Sequence, residues 1–409
     1  MLTKSSTEMV RQQNSALVLS SLRRHGPLAH TDIAASTQLA SATVSAITAE
    51  LERMGAIERH EQQVSGSRGR PRVLFARKRD YCHLIAVRIS SDNVQYSLAD
   101  YTGTLIDRFE EPRDHAASSA EQFVTGFRDA LARLAVRSRL DTAQIAAISI
   151  SSKGLVDPEG SRLLWSPVFG RQEIDFATSL PVSPATRIRL NNETLLVAHA
   201  LALRADKDAE RPFHALATLS LGHSIGLGIA RRGQSGELEV SAPNFGHMLN
   251  AADGKLCRCG SFGCVEASAG FYGILRTAFE VPPDTIPAKF VPLVEMDKIA
   301  LRARQGHRMS EYAFRQAGLA LGQGLSRMLS LCENMPIAIT GHGTRYMDLL
   351  GRGIEEGLQQ SLHVRIHGAP EIAIVQEEAT LVFEGHLDRA LTEIDHNVAG
   401  LRAEEAQAR

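Results

Sequence analysis

The sequence predicts an α/β protein with a winged helix-turn-helix at its amino end. Three observations carry this expectation. Residues 1–80 hold three short amphipathic helical stretches, followed by two strand-like runs on either side of an Arg- and Gly-rich tip. From Tyr81 onward, apolar strand-like runs alternate with helical ones, the pattern of an α/β body. Charge is also unevenly spread: residues 1–80 hold 12 Lys and Arg against 7 Asp and Glu, although the whole chain has 45 against 46. A basic front on an acidic remainder fits a nucleic-acid-binding module attached to something else.

Length and composition bound the alternatives. At roughly 150 residues per domain, 409 residues make two or three domains. With 44% hydrophobic and 22% charged residues the chain is neither a disordered nor a fibrous protein. No apolar run reaches the ~18 residues of a membrane span, and Met1–Ser6 has no apolar signal core, so a cytoplasmic location is expected.

In the head, Leu17, Val18, Leu19 and Leu22 recur at helical spacing over residues 14–24, and His25-Gly26-Pro27 stops that helix. Thr31 and Asp32 are placed to cap a second helix over residues 33–37. Ser41 is placed to cap a third, whose Val44, Ile47, Leu51 and Met54 share one face and which Gly55 closes. The opposite face presents Ser41, Ala42, Thr43, Ser45, Ala46 and Thr48, small enough to let a recognition helix approach base edges and phosphates. Strands over residues 56–59 and 73–75 flank the tip, making a wing whose Arg68, Arg70 and Arg72 suit phosphate or minor-groove contact.

In the body, residues 83–89, 94–98 and 104–106 read as strands, 120–134 as a helix and 145–150 as a buried strand. That last strand ends at a polar, Gly-bearing loop, the place where α/β proteins hold ligands. Later helices are expected over residues 309–331 and 379–391. Of five cysteines, Cys257, Cys259 and Cys264 fall within eight residues, which favours a metal site over a disulfide framework. Cys82 and Cys332 read as single buried small hydrophobes.

Several of these segments carry a resemblance. Gly246-His247 with Cys257-Arg258-Cys259-Gly260-Ser261-Phe262-Gly263-Cys264-Val265-Glu266 resembles the zinc signature of the ROK family, which groups sugar-responsive repressors with sugar kinases. Gly154-Leu155-Val156-Asp157-Pro158, Asn191-Asn192-Glu193, the Gly-rich run from Leu221 to Gly228 and Thr340-Gly341-His342-Gly343 add to it. With the winged head included, the order resembles the family's repressors that answer to N-acetylglucosamine, glucose or xylose. The resemblance implies an actin-like (ribonuclease H-like), two-lobed sugar-kinase fold. It divides the chain into a head, 1–77, a first lobe, 78–195 completed by 380–409, and a second lobe, 196–379, with the metal site.

Three thiolates, Cys257, Cys259 and Cys264, plus the imidazole of His247 satisfy tetrahedral Zn2+ and leave no open position, so the zinc is expected to be structural. The resemblance places Asn192, Glu193, His247 and Glu266 around a sugar. Asn244 stands where the family usually has Glu; its amide both donates and accepts, so the preferred hydroxyl pattern should differ.

Two departures argue against phosphoryl transfer. Family kinases hold ATP on an Asp-x-Gly-Gly-Thr turn, where glycines let backbone N–H groups reach the phosphates. Here the turn reads Arg88-Ile89-Ser90-Ser91-Asp92. The family's catalytic Asp is matched by Glu193, whose extra methylene displaces the carboxylate. The expected protein is therefore a transcriptional regulator, a repressor and not an enzyme. Its partners are operator DNA and a sugar or sugar-derivative effector, and it works as a homodimer or dimer of dimers. The rivals are a sugar kinase with an added head and a regulator controlled by a protein partner.

Overall fold

The computed structural model describes residues 2–62, 72–113, 119–206, 213–234, 236–251 and 254–407. The head opens with α1 (Leu2–His25), α2 (His30–Thr37) and α3 (Ser41–Arg53). It closes with β1 (Ile57–Gln62) paired antiparallel to β2 (Arg72–Arg77). Leu28 pairs with Phe75 and widens this wing. Val18, Leu19, Leu22, Ile33, Val44, Ile47, Leu51 and Phe75 are buried together, so the apolar faces of the three helices meet as their spacing requires.

Three details differ from the sequence reading. Helix α1 begins a dozen residues earlier, in a stretch without apolar periodicity. Ala40, not Ser41, occupies the N-cap of α3, leaving the Ser41 side chain exposed in the first turn. Asp32 caps α2 from inside the helix, accepting from the backbone N–H of Ala29 at 3.2 Å.

The body repeats one design twice. In the first half, β3 (His83–Ile89), β4 (Asn93–Asp100) and β5 (Leu105–Pro112) form an antiparallel meander packed by α4 (Ala120–Arg137). Strand β6 (Ile145–Ser152) lies parallel to β3. A small flap of β7 (Leu155–Val156), β8 (Arg162–Trp165) and β9 (Ile174–Asp175) leads through α5 (Phe176–Ser179) to β10 (Arg187–Asn192), parallel to β6. Helix α6 (Glu193–Ala205) then enters the second half.

There β11 (Ala215–Ser220), β12 (Gly226–Arg232) and β13 (Leu238–Ser241) make another meander. Four helices follow: α7 (Val265–Ala269), α8 (Phe271–Ala278), α9 (Leu293–Arg304) and α10 (Arg308–Leu331). Strand β14 (Ile337–Thr340) lies parallel to β11. After α11 (Met347–Gln359) and α12 (Leu362–His367), β15 (Ile372–Ile374) lies parallel to β14.

The sheet orders, β10-β6-β3-β4-β5 and β15-β14-β11-β12-β13, are the same order met twice. Each sheet grows from a central first strand, and ligand positions fall at the strand ends where the direction of growth reverses. The last helix, α13 (Glu378–Gln407), returns from the second half to pack on α1, α6, β3 and β6.

Gly226 and Gly228 read at the sequence level as tight strand packing, and the structure agrees: a Cβ at either would collide with Thr194 of α6. Cys82 is buried as expected, whereas Cys332 is only half-buried and its sulfur accepts from Arg231. Among the described residues no helix is long and apolar enough to cross a membrane.

Candidate effector and metal site

Beyond β13 the chain makes a 3-10 turn, Phe245–His247, which delivers His247 toward the loop carrying Cys257 and Cys259. Cys264 sits at the N-cap of α7. The loop can close because Gly263 has φ +78°, and a Cβ there would strike the carbonyl of Ala251. The four donor atoms lie within 4.8 Å of one another.

A tetrahedral ion ~2.3 Å from sulfur and ~2.0 Å from nitrogen sets its ligands about 3.5 to 3.8 Å apart. Cys259 Sγ and Cys264 Sγ are 3.7 Å apart, and Cys257 Sγ and His247 Nδ1 are 3.5 Å apart. The donor set therefore fits such an ion. Its electrostatics agree: hydrogen bonds from Cys264, His247 and Tyr272 outweigh burial and hold the Cys257 thiol down at about 3.

The imidazole of His247 also walls a cavity of about 40 Å³ between the two halves of the body, together with Lys153, Trp165, Asn192, Ser224, Asn244 and Glu266. Trp165 meets His247 edge-on at 4.7 Å. Glu266 is buried at the base of α7; the N–H of Ile225 donates to it at 3.0 Å, and burial pushes its carboxyl upward. Asn192 is occupied structurally: its Oδ1 caps α6 at Thr194 N–H, 2.9 Å, and its Nδ2 donates to Gly154 O at 2.8 Å. Asn244 is exposed at the rim.

Ser224 is buried, and its Oγ has no protein partner. Ser224 and Trp165 went unnoticed in the sequence. The Gly-rich run was read for its glycines rather than for the hydroxyl within it, whereas Trp165 carried a usable signal as the sole tryptophan.

Glu193 is the exception among the expected sugar residues. Its side chain turns into a neighbouring cleft of about 200 Å³. Arg88 clamps it there through Nε to Oε2 and Nη2 to Oε1, both at 3.0 Å. Arg88 Nη2 also donates to Glu378 at the start of α13, 3.1 Å. Lys153 Nζ lies 3.6 Å from Glu193 and donates to Ser220 Oγ at 3.1 Å, and Ser220 donates in turn to Glu378. Burial works against the charge on Glu193, yet Arg88 and Lys153 hold its carboxyl down at about 2. Two cations and two carboxylates thus neutralise one another across the seam where both halves meet.

On the head, Ser41, Ala42, Ser45 and Ala46 are exposed on α3 and Thr43 is half-buried. Thr48 is not on that face. It is 1% exposed, its hydroxyl donates to Val44 O, and it lies 2.8 Å from His30 Nε2. Arg68 and Arg70 lie outside the described residues; Arg72 begins β2, and its side chain also lies outside them.

Fold and site together define a class: a two-lobed, sugar-kinase-like body with a Cys/His cluster at the lobe seam, carrying a winged-helix DNA-binding head. The chain belongs to the ROK family, whose model matches residues 84–380, and the MarR family model matches residues 12–64. It is 24% identical to the DNA-binding transcriptional dual regulator NagC of Escherichia coli K12, over 96% of this chain and 91% of NagC. Identity to the transcriptional repressor Mlc of the same organism is 22%, covering 86% of each. A crystal structure of a ROK family transcriptional regulator, a homologue of that Mlc protein, superposes with a TM-score of 0.71 at 21% identity, covering 95% of this chain and 98% of that one.

Proposed function

We propose that this protein is a sugar-responsive transcriptional repressor of carbohydrate metabolism or transport genes that no longer transfers phosphate. The observation that carries the reading is Arg88. A kinase needs a glycine turn and a free carboxylate base here; this chain has a guanidinium that holds Glu193 bidentately at 3.0 Å. A base fixed in this way cannot take a proton from a sugar hydroxyl while also satisfying Arg88.

The effector is a sugar or sugar derivative taken by Asn192, Asn244, His247 and Glu266. The buried, unpartnered Ser224 hydroxyl supports a polar ligand, because such a group is costly unless something bonds to it. At about 40 Å³ the cavity is far smaller than the ~300 Å³ or more of ordinary ligand pockets, so the lobes must part to admit it. The cluster of His247, Cys257, Cys259 and Cys264 holds structural Zn2+, which fixes the imidazole and the first turn of α7 where both line the cavity.

Residues 1–77 read operator DNA through Ser41, Ala42, Thr43 and Ser45 and the wing arginines Arg68, Arg70 and Arg72. The two lobes are 78–195 with 380–409, and 196–379. Paired heads of a dimer address half-sites roughly 34 to 36 Å apart or a multiple of that.

The test is binding of the full-length protein to DNA upstream of its own gene while sugars, amino sugars and sugar phosphates are titrated. Release by one compound is the expected result; sugar-dependent ATP turnover without DNA binding would overturn the reading.

A further inference from the structure

The joint between head and body is built from buried charge. Arg77, the last residue of the wing, donates from Nη2 to Asp395 Oδ1 at 2.6 Å, with both side chains 2% exposed. Tyr101 OH donates to the same oxygen at 2.8 Å, and the Arg77 guanidinium lies 3.7 Å from the centre of the Tyr101 ring. From α1, Arg23 Nη1 reaches Asp395 Oδ2 at 3.4 Å, while its Nη2 donates to Thr392 Oγ1 at 2.8 Å and lies 3.2 Å from Asp388. Wing, first helix and body therefore meet at one carboxylate on α13.

An apolar cluster also spans the joint, with Leu19 and Leu22 of α1 in the same core as Leu391 and Ile394 of α13. Apolar burial is non-directional and leaves the angle of the head open. Charge-assisted contacts are directional, and a buried ion pair is weak evidence of stabilisation in itself, which leaves setting the geometry as a role for this one. The cluster bears that mark: Arg77 Nε and Nη1 and Arg23 Nε are buried without partners, so it is not optimised for stability.

Helix α13 carries this joint to the cleft. Glu378 in its first turn is held by Arg88 and Ser220. One third of the way along, His386 lies between Ser149 Oγ and Ser151 Oγ of β6, at 2.7 and 2.9 Å. At 1.5 Å per residue, Glu378 and Asp395 stand roughly 25 Å apart on one rigid rod.

We propose that Asp395 is the residue that positions the DNA-binding head on the body. It holds Arg77 and Arg23 to α13, so that a displacement of α13 begun at Glu378 moves the head. The experiment is single-molecule energy transfer in the full-length protein, with dyes on genetically encoded amino acids at Ala46 of α3 and Val136 of α4, both exposed.

The wild type is expected to give one narrow distance. Asp395→Asn should lose it for a broad distribution, and Asp395→Glu should retain it. Asp395→Asn strands Arg77 in the interior, so the double variant Arg77→Met with Asp395→Leu supplies a folded comparison in which that buried pair is gone and Arg23 keeps Asp388 as its partner. It too should be broad, with a cooperative melt. Glu378→Gln should shift the mean distance in the wild type and produce no further shift beside Asp395→Asn. A double variant as narrow as the wild type, a wild type that is itself broad, or a Glu378→Gln shift that is absent or survives loss of Asp395 would each overturn the proposal.

Discussion

On one side of Lys153 the lobes meet through charges that satisfy each other; on the other they meet around polar groups that do not. Arg88, Glu193, Glu378 and Lys153 are fully engaged, and a phosphate entering their cleft would have to break a neutral set. In the adjoining cavity Ser224 Oγ has no partner, whereas buried Glu266 accepts from the Ile225 N–H at 3.0 Å and from the Tyr272 hydroxyl at 3.5 Å. The contrast teaches that burial of ionisable groups does not by itself mark a site. What points to a ligand here is polar capacity left over in the wall of a cavity that both lobes share.

The largest test of that contrast is on the metal side. Cys257→Ala should abolish bound zinc in the full-length protein by elemental analysis, while Cys82→Ala, buried elsewhere, should leave it intact. Next comes the self-satisfied side. Arg88→Ala leaves Glu193, 1% exposed, as a buried carboxylate that has lost its bidentate partner and keeps the more distant Lys153 ammonium, 3.6 Å away, and should lower stability by up to about 3 to 5 kcal/mol in urea unfolding. Equal stability of the variant and the wild type would break the comparison.

Acid should act on the same pair. With its folded value held near 2, below the ordinary carboxylate value, Glu193 contributes stability that is fully present above about pH 4.5 and lost as pH falls toward 2. Melting temperature measured over that window should fall less steeply in Glu193→Gln than in the wild type. The smallest effect belongs to the open side. Ser224→Ala should leave stability unchanged or slightly raised and weaken an identified effector by up to about tenfold, the worth of one hydrogen bond; unchanged effector affinity would deny Ser224 a ligand.

Much of this was legible before the structure. Cysteine spacing with intervening glycines marks a local cluster, and the fourth donor, His247, lies only ten residues upstream of Cys257. The winged head was readable for the same reason, since its helices are amphipathic and consecutive. Thr48 was misplaced because helical periodicity assigns a face but does not know that His30 will bond to that hydroxyl. Glu193 was assigned to the sugar by the family resemblance, as the match of the family's catalytic Asp beside Asn192, whereas its carboxylate is held by Arg88, 105 positions earlier. The Asp395 joint lay beyond any periodicity: its partners are separated from it by 318 and 372 positions, and only the return of α13 brings them together.

That separation has a consequence in time. Arg77 leaves the ribosome long before Asp395 is made, and at roughly 5 to 20 residues per second the interval is about 16 to 60 s. Throughout it the three helices and wing can fold locally, but the carboxylate that sets their angle does not yet exist. A nascent chain would therefore carry a DNA-binding module with no fixed bearing, and a repressor able to grip its operator in register would arise only when synthesis has reached its last helix.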